Sequence, residues 1–370
     1  MNKIPLRLGI QQRVLPSYRT ALFDLIANEF ESGCTVFTGQ PRKDEMIPSG
    51  QLKIALYVQA KNIHLFSGKY YLCWQIGIIK WLHTFQPDVV IMEANPRYLH
   101  LPAAIKRLIR SRRKVIGWGL GAPHKSGFFG KLSRIVRTNL INKFDALITY
   151  SQKGAEEYIA LGFPAQKIFI APNAVMPKPS CPHRERQKFF QNGKPTLLFV
   201  GRLQSRKKVD LLIRACAMLP DNLKPRLWIV GEGPAKNELE KLARRLYPAV
   251  EFLGGIYGDD LEKYFMDTDL FVLPGTGGLA VQQAMSYSLP VIVGEADGTQ
   301  VDLVKKNNGW ILPPGNLDSL VDTLEKALTD PAHLREMGLE SHRIICEEVN
   351  LEKMVAVFKQ AVLSVMEKET

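Results

Sequence analysis

Short apolar runs alternate along the chain with longer stretches of helical period. In the first half Leu6–Ile10, Val89–Met92, Val115–Trp118, Ala146–Thr149 and Ile168–Ala171 are runs of the kind buried on both faces of a parallel sheet. Between them Arg19–Phe30, Ile76–Phe85, Leu101–Ile109, Leu132–Ile141 and Gly154–Leu161 carry apolar residues at helical spacing. Strand and helix in alternation predict parallel βαβ units. Past Pro172 the pattern breaks: Pro177, Pro179, Pro182 and a polar run through Gly193 and Pro195 cannot hold a helix interior or a central strand.

The alternation then restarts. Thr196–Val200, Leu227–Val230, Val250–Leu253, Leu270–Leu273 and Val291–Val293 read as strands; Val209–Met218, Ala235–Leu246, Asp259–Phe265, Ala280–Ser286 and Leu317–Leu328 read as helices. The expected fold class is α/β, with two Rossmann-like doubly wound domains facing a cleft. Residues 1–175 form the first domain and 176–195 the linker. Residues 196–350 form the second domain, and 351–370 a C-terminal helix free to pack back on the first. Ligands of open parallel sheets bind outside the carboxyl ends of the strands, so the site is expected there.

A chain of 370 residues with 46% apolar and 23% charged residues is long enough for two full cores. No apolar run is long enough to cross a bilayer, and no signal-peptide core follows the first residues. The reading is a cytoplasmic protein. Five cysteines, at 34, 73, 181, 216 and 346, show no metal-ligand spacing and suggest no disulfide framework. Charge is informative because it is uneven. Residues 1–175 hold 24 Lys and Arg against 10 Asp and Glu, a net of +14, while residues 176–370 net −1. Twelve basic residues and no acid lie between Glu93 and Asp145. Such a face either suits an anionic partner (lipid head groups, a phosphorylated substrate or nucleic acid) or simply keeps the protein soluble.

Four strand-to-helix turns carry candidate chemistry. Gly201-Arg202 with Lys207 and Lys208 follows the Thr196–Val200 strand and opens a helix, where cations and main-chain N–H groups suit a diphosphate; a solvated basic turn is the plain alternative. Gly231-Glu-Gly233-Pro234 and Phe252-Leu-Gly254-Gly255 end two further strands, and each alone is as common in tight turns without a ligand. Pro274-Gly-Thr-Gly277-Gly278-Leu279 runs straight into a helix, with Gln283 one turn in and able to reach a ribose.

Taken together, these residues resemble the retaining GT-B glycosyltransferases of family 4. The resemblance is firm over 145–330. It rests on Ser151, Gly162 with Pro164, Ile170-Ala-Pro172-Asn173, Gly201-Arg202-Leu with Lys207, Val230-Gly-Glu-Gly-Pro234, Phe252-Leu-Gly254, and Gly278-Leu279 followed by Ala284-Met285 and Leu289-Pro290. It implies transfer of a sugar from a nucleotide diphosphate sugar with retained configuration and no obligatory metal or other cofactor, with residues 1–175 as the acceptor-binding domain and 196–350 as the nucleotide-sugar-binding domain. On matching positions, Arg202 and Lys207 are the catalytic cations on the diphosphate. Gly201, Gly233, Gly254, Gly277, Gly278, Leu279 and Gln283 hold the donor.

The family's two glutamates are missing. The loop from Pro274 to Leu279 is shorter than usual and has no acid, and Gln283 stands in the second place. Asp297 and Thr299, in the loop after Val293, are the candidates to take over sugar contacts; a capping turn is the alternative.

On the acceptor side, the ends of the first-domain strands offer Arg13, Tyr18, Arg19, Glu93 and Asn95. Gly119-Leu120-Gly121 stands where the family commonly has a histidine, with His124 a few residues on. The segment from Lys125 to Arg137 couples Phe128 and Phe129 to spaced cations, a mixture suited to a lipid interface or equally to an ordinary surface helix. The expected partners are a nucleotide-sugar donor, a glycan or lipid-linked acceptor and an anionic membrane surface, which places the chain at the inner face of the cell membrane in cell-surface polysaccharide assembly. No nucleic-acid motif accompanies the basic run. The alternatives are a nucleotide-sugar-binding protein without turnover and a nucleotide-sugar epimerase of the same fold.

Overall fold

The computed structural model describes residues 3–45, 47–122, 128–179, 190, 193–295 and 299–367. The chain divides into two compact units, residues 1–175 with 351–370, and residues 176–350.

Unit 1 is built on seven parallel strands: β1 (Leu8–Val14), β2 (Cys34–Gly39), β3 (Leu56–Gln59), β6 (Val89–Glu93), β7 (Lys114–Gly119), β8 (Ala146–Thr149) and β9 (Ile168–Ile170), in the spatial order β3-β2-β1-β6-β7-β8-β9. The two strands between β3 and β6, β4 (Lys61–Leu65) and β5 (Leu72–Ile76), leave the sheet as a separate antiparallel hairpin. Apolar side chains pack on both faces of the sheet, as parallel strands require. Against one face Trp81 stacks on Phe37, with centroids 4.9 Å apart, and its indole N–H donates to Thr35 Oγ1 at 3.0 Å. The other core holds Trp118, met edge-on by Phe23 and by Phe358 at 6.3 and 4.8 Å. Phe358 lies on the helix Leu351–Met366, which packs on the helix Thr20–Asn28 and on β7, β8 and β9, and is pinned by a Lys359–Glu29 ion pair of 2.8 Å.

Unit 2 repeats the plan with six parallel strands. They are β10 (Thr196–Val200), β11 (Arg226–Val230), β12 (Val250–Gly254), β13 (Leu270–Leu273), β14 (Val291–Gly294) and β15 (Gly309–Leu312), ordered β12-β11-β10-β13-β14-β15. In both sheets the strand order reverses beside the first strand, between β1 and β6 and between β10 and β13. A doubly wound sheet opens its ligand crevice at that reversal, beyond the carboxyl ends.

Several elements differ from the sequence reading. Strands β2 to β5 and β15 lie where no strand is expected, and Ile76 ends β5 instead of opening the helix, which starts at Ile78 because Gly77 makes a left-handed turn between them (φ +98°). The helix Pro331–Glu347 also goes unread. Asp330 caps it by accepting the His333 N–H, with proline at its first position.

Candidate functional site

In unit 2, four turns are stitched into one surface at the carboxyl end of the sheet. The Gly201 N–H donates to Val230 O at 3.0 Å, Leu203 N–H to Glu232 O at 2.9 Å, and Gly231 N–H to Gly254 O at 2.7 Å, so the turns after β10, β11 and β12 are locked to one another. Close approach explains the glycine at 231, where a Cβ would lie 2.0 Å from the Gly201 carbonyl oxygen. From β13 the loop Pro274–Gly278 folds back on the turn after β10. Thr276 N–H donates to Arg206 O at 3.1 Å, the Arg206 guanidinium to Thr276 Oγ1 at 2.8 Å, and the Lys207 ammonium to Thr276 O at 2.6 Å.

The sequence-read residues therefore fall together. Gly201, Arg202 and Lys207 follow β10, Gly233 follows β11, Gly254 ends β12, and Gly277, Gly278 and Leu279 follow β13. Arg202 and Lys207 are both partly exposed. The helix Leu279–Ser286 starts at Gly278 with no side-chain cap, so its first N–H groups are offered at the same surface. Gln283 is half-buried on that helix. Thr299 opens the short helix Thr299–Leu303; Asp297 lies outside the described residues. Two contributors escape the sequence reading. Arg206 braces Thr276, and buried Gln300 donates to the Gly277 carbonyl at 2.6 Å, holding the glycine loop from behind. Neither has a motif of its own, because each acts through a contact distant along the chain.

At the corresponding end of unit 1, Glu93 closes β6 beside β1. Its carboxylate accepts the Arg13 main-chain N–H at 2.5 Å and the Tyr98 hydroxyl at 3.5 Å, while the Arg13 guanidinium pairs with Glu45 at 2.8 Å. Burial pushes the Glu93 carboxyl up to about 7, against the opposing pull of the Arg13 N–H and charge and of Tyr98. Gln11, Gln75 and Asn62 extend this polar cluster: the Gln11 side-chain amide donates to Gln75 Oε1 at 2.5 Å, and Gln75 in turn donates to Asn62 Oδ1 at 3.0 Å.

Asn95 is used locally, its side-chain oxygen accepting the Arg97 N–H at 3.1 Å. Tyr18 is exposed. Arg19 is turned inward: its guanidinium lies over the rings of Tyr18, Trp118 and Tyr150 at 5.3–5.4 Å and donates to Asn173 and to Met354 Sδ. In this position it joins the first strand turn to the C-terminal helix. His124 and residues 125–127 lie outside the described residues. Among the described residues no group of three or more His, Cys, Asp or Glu could hold a metal ion, and no helix is long and apolar enough to cross a membrane.

Comparison with known proteins agrees with this geometry. The model described as Glycosyl transferases group 1 matches residues 183–343, and that described as Glycosyltransferase Family 4 matches residues 34–178. Sulfoquinovosyl transferase SQD2 of Arabidopsis thaliana is 35% identical over 144 residues, 37% of this chain and 27% of its own length. A GDP-mannose-dependent alpha-(1-6)-phosphatidylinositol monomannoside mannosyltransferase of Mycolicibacterium smegmatis is 28% identical over 179 residues, 44% of this chain and 46% of its own length. The chain thus spans less than half the length of these curated relatives. Among solved structures, HepE of Anabaena in complex with UDP superposes with a TM-score of 0.72 at 18% identity, covering 97% of this chain and 100% of that one. The lipopolysaccharide outer core galactosyltransferase WaaB does so with a TM-score of 0.70 at 19% identity, covering 97% and 99%. Both units carry the same family's pattern, and the chain belongs to the GT-B glycosyltransferases of family 4, glycosyl transferases group 1.

Proposed function

We propose that the chain transfers a sugar from a nucleotide diphosphate sugar, with retention of configuration and without an obligatory metal, to a lipid-linked or membrane-associated glycan acceptor. The observation that carries this reading is the Lys207 ammonium braced on the Thr276 carbonyl, at the strand-order reversal of unit 2 and next to the uncapped helix start at Gly278. Fixed cations and main-chain N–H groups converging on one spot are what a diphosphate needs. As the bond from sugar C1 to the phosphate oxygen breaks, negative charge gathers on the diphosphate, and Arg202 and Lys207 lower the barrier by neutralising it in place. Gly233, Gly254, Gly277, Gly278, Leu279 and Gln283 line the donor side; Arg13, Glu93 and Asn95 stand at the acceptor end of unit 1. HepE in complex with UDP supports a nucleoside diphosphate as the leaving group, and the mannosyltransferase acting on a phosphatidylinositol mannoside supports a lipid-linked acceptor. The net +14 of residues 1–175 is consistent with work at an anionic membrane surface of the cytoplasmic side.

A panel of nucleotide sugars tests the donor by thermal shift, since only a bound donor stabilises by mass action. Nucleotide release with a lipid-extract acceptor and the anomeric configuration of the product then test transfer and retention. No shift with any nucleotide sugar would overturn the reading. A second reading is favoured by one feature: the loop from Pro274 to Leu279 has no acid, and Gln283 is uncharged. On that reading the chain binds a donor without turnover, and the same panel would give a shift but neither transfer nor slow donor hydrolysis.

A further inference from the structure

The hairpin of β4 and β5 is inverted with respect to an ordinary half-buried ribbon. Its register pairs Lys61 with Ile76, Ile63 with Trp74 and Leu65 with Leu72, and the intervening pairs are Asn62 with Gln75 and His64 with Cys73. Successive side chains of a strand point to opposite faces. Here the polar set faces the protein: Asn62 donates to the carbonyls of Arg13 and Gln40 at 2.8 Å, Gln75 to that of Gln12 at 3.0 Å, and His64 contacts Gln40 O at 3.2 Å. The apolar set faces out. Ile63, Leu65 and Ile76 are exposed, Trp74 is 52% exposed, and Phe66 and Tyr70, in the connecting turn, are 71% and 69% exposed. A concentrated apolar surface of this kind on a folded domain marks an interaction site.

We infer that this outward face of the hairpin is a docking surface for an anionic lipid bilayer. Charge selects the occupant. From residue 46 to residue 87 there is no Asp or Glu, and the same stretch holds Lys53, Lys61, Lys69 and Lys80. Lys53, Lys61 and Lys80 are exposed, and Lys61 shares the outward face with Ile63 and Trp74. Aromatic rings with aliphatic neighbours, and Lys61 among them, match the bilayer interface, where rings sit among head groups and ammonium groups meet lipid phosphates. The ribbon's two faces have complementary uses. Its polar face is bonded to the carboxyl end of β1, next to Arg13 and Glu93, so a bilayer on the outer face lies one strand layer from the proposed acceptor end. The inference rests on the membrane-associated acceptor of the proposed function for its purpose, and not for its test.

The test is flotation of the full chain with vesicles of mixed phosphatidylglycerol and phosphatidylcholine, and with phosphatidylcholine alone. Flotation is expected with the anionic vesicles, falling with salt, together with quenching of Trp74 by brominated lipid. The double variant Ile63→Ser/Trp74→Ser is expected to bind about tenfold more weakly or worse, and Lys61→Glu to bind about threefold more weakly or worse at low salt. Both substitute exposed side chains, and an unchanged melting curve certifies the fold. Failure of the wild type to float, equal flotation of the serine variant, or a lipid-free dimer that the serine variant dissolves would each overturn the inference, the last by assigning the face to a second copy. The donor thermal shift, measured on the same variants, is expected to be unchanged. Its absence in the wild type would count against the proposed function alone.

Discussion

The side-chain ammonium of Lys207, on the turn after β10, donates at 2.6 Å to the main-chain carbonyl of Thr276, on the turn after β13, 69 residues away. The bond ties together the two strands that flank the reversal of the sheet, and it fixes a cation where the glycine loop meets the helix start. Lys207→Ala removes both the tether and the charge. On the proposed function, kcat/KM for nucleotide release is expected to fall by about 10²–10³, the usual cost of one preorganised charge-stabilising group. Lys207→Arg restores the charge but replaces a compact ammonium with a planar fork, so only partial recovery is expected. A loss confined to melting temperature, with kcat/KM intact, would contradict the role.

Gly277 makes the neighbouring constraint visible. Its φ is +141°, and a Cβ there would lie 2.4 Å from Lys207 Nζ. Gly277→Ala must shift the ammonium off Thr276 or move the loop. Donor affinity, read by calorimetric titration, is expected to drop about tenfold, with a stability loss of roughly 1 kcal/mol from the backbone conformation.

Much of unit 2 was legible because each βα turn announces itself by a strand of apolar residues followed by glycine: Gly201, Gly231, Gly254 and Gly277 all end at one surface. Unit 1 was less so between residues 31 and 75. β2 buries Thr35 and Thr38 along with its apolar residues, β3 is an exposed edge, and β4 and β5 turn their apolar side outward, so the usual alternation points the wrong way. Gln300, Arg206 and Gln75 were illegible for another reason. They hold the site through partners that only the fold brings near. The helix Pro331–Glu347, in contrast, was readable from Asp330-Pro331, a capping residue followed by proline at the first helical position.

Phe358 anchors the C-terminal helix by meeting Trp118 edge-on, and it is almost wholly buried. Phe358→Ala leaves a cavity beside β7 and is expected to cost about 3–5 kcal/mol. The loss belongs to unit 1, so a two-step melt is expected to show the first transition lowered and the donor-stabilised one unmoved. A uniform shift of both would show that the units unfold together.

Glu93 carries a pH signature. Burial raises its folded carboxyl to about 7 from an ordinary 4.5. Between those values the folded chain keeps a proton that the unfolded chain releases, so this residue's contribution to stability falls as pH rises and reaches its full penalty above about 7. Glu93→Gln keeps an oxygen for the Arg13 N–H and removes the titration. The urea midpoint of the variant is expected to gain on that of the wild type from about pH 5 to about pH 7.5. A constant difference across that range would rule out burial as the controlling effect.

His100 works in the opposite direction, at the joint between the hairpin and the sheet. Its Nδ1 accepts the Gln75 main-chain N–H at 3.1 Å, so the ring is neutral with its hydrogen on Nε2, and its flat face stacks on Tyr98 at 5.9 Å. Burial lowers its pKa from 6.5 to about 4. The stability this confers is fully present above about pH 6.5, and it is lost as pH falls towards 4, because the unfolded chain takes up a proton that the folded ring refuses. Once the ring does protonate, an N–H on Nδ1 faces the N–H of Gln75, two donors in one contact. Urea melts are therefore expected to show the wild type losing stability between about pH 6.5 and 4 more steeply than His100→Gln. Protection of the Gln75 amide from hydrogen exchange, corrected for the intrinsic rate, is expected to fall over the same interval while amides of β10 hold. Parallel pH slopes for the two proteins would mean that another group controls the acid limb.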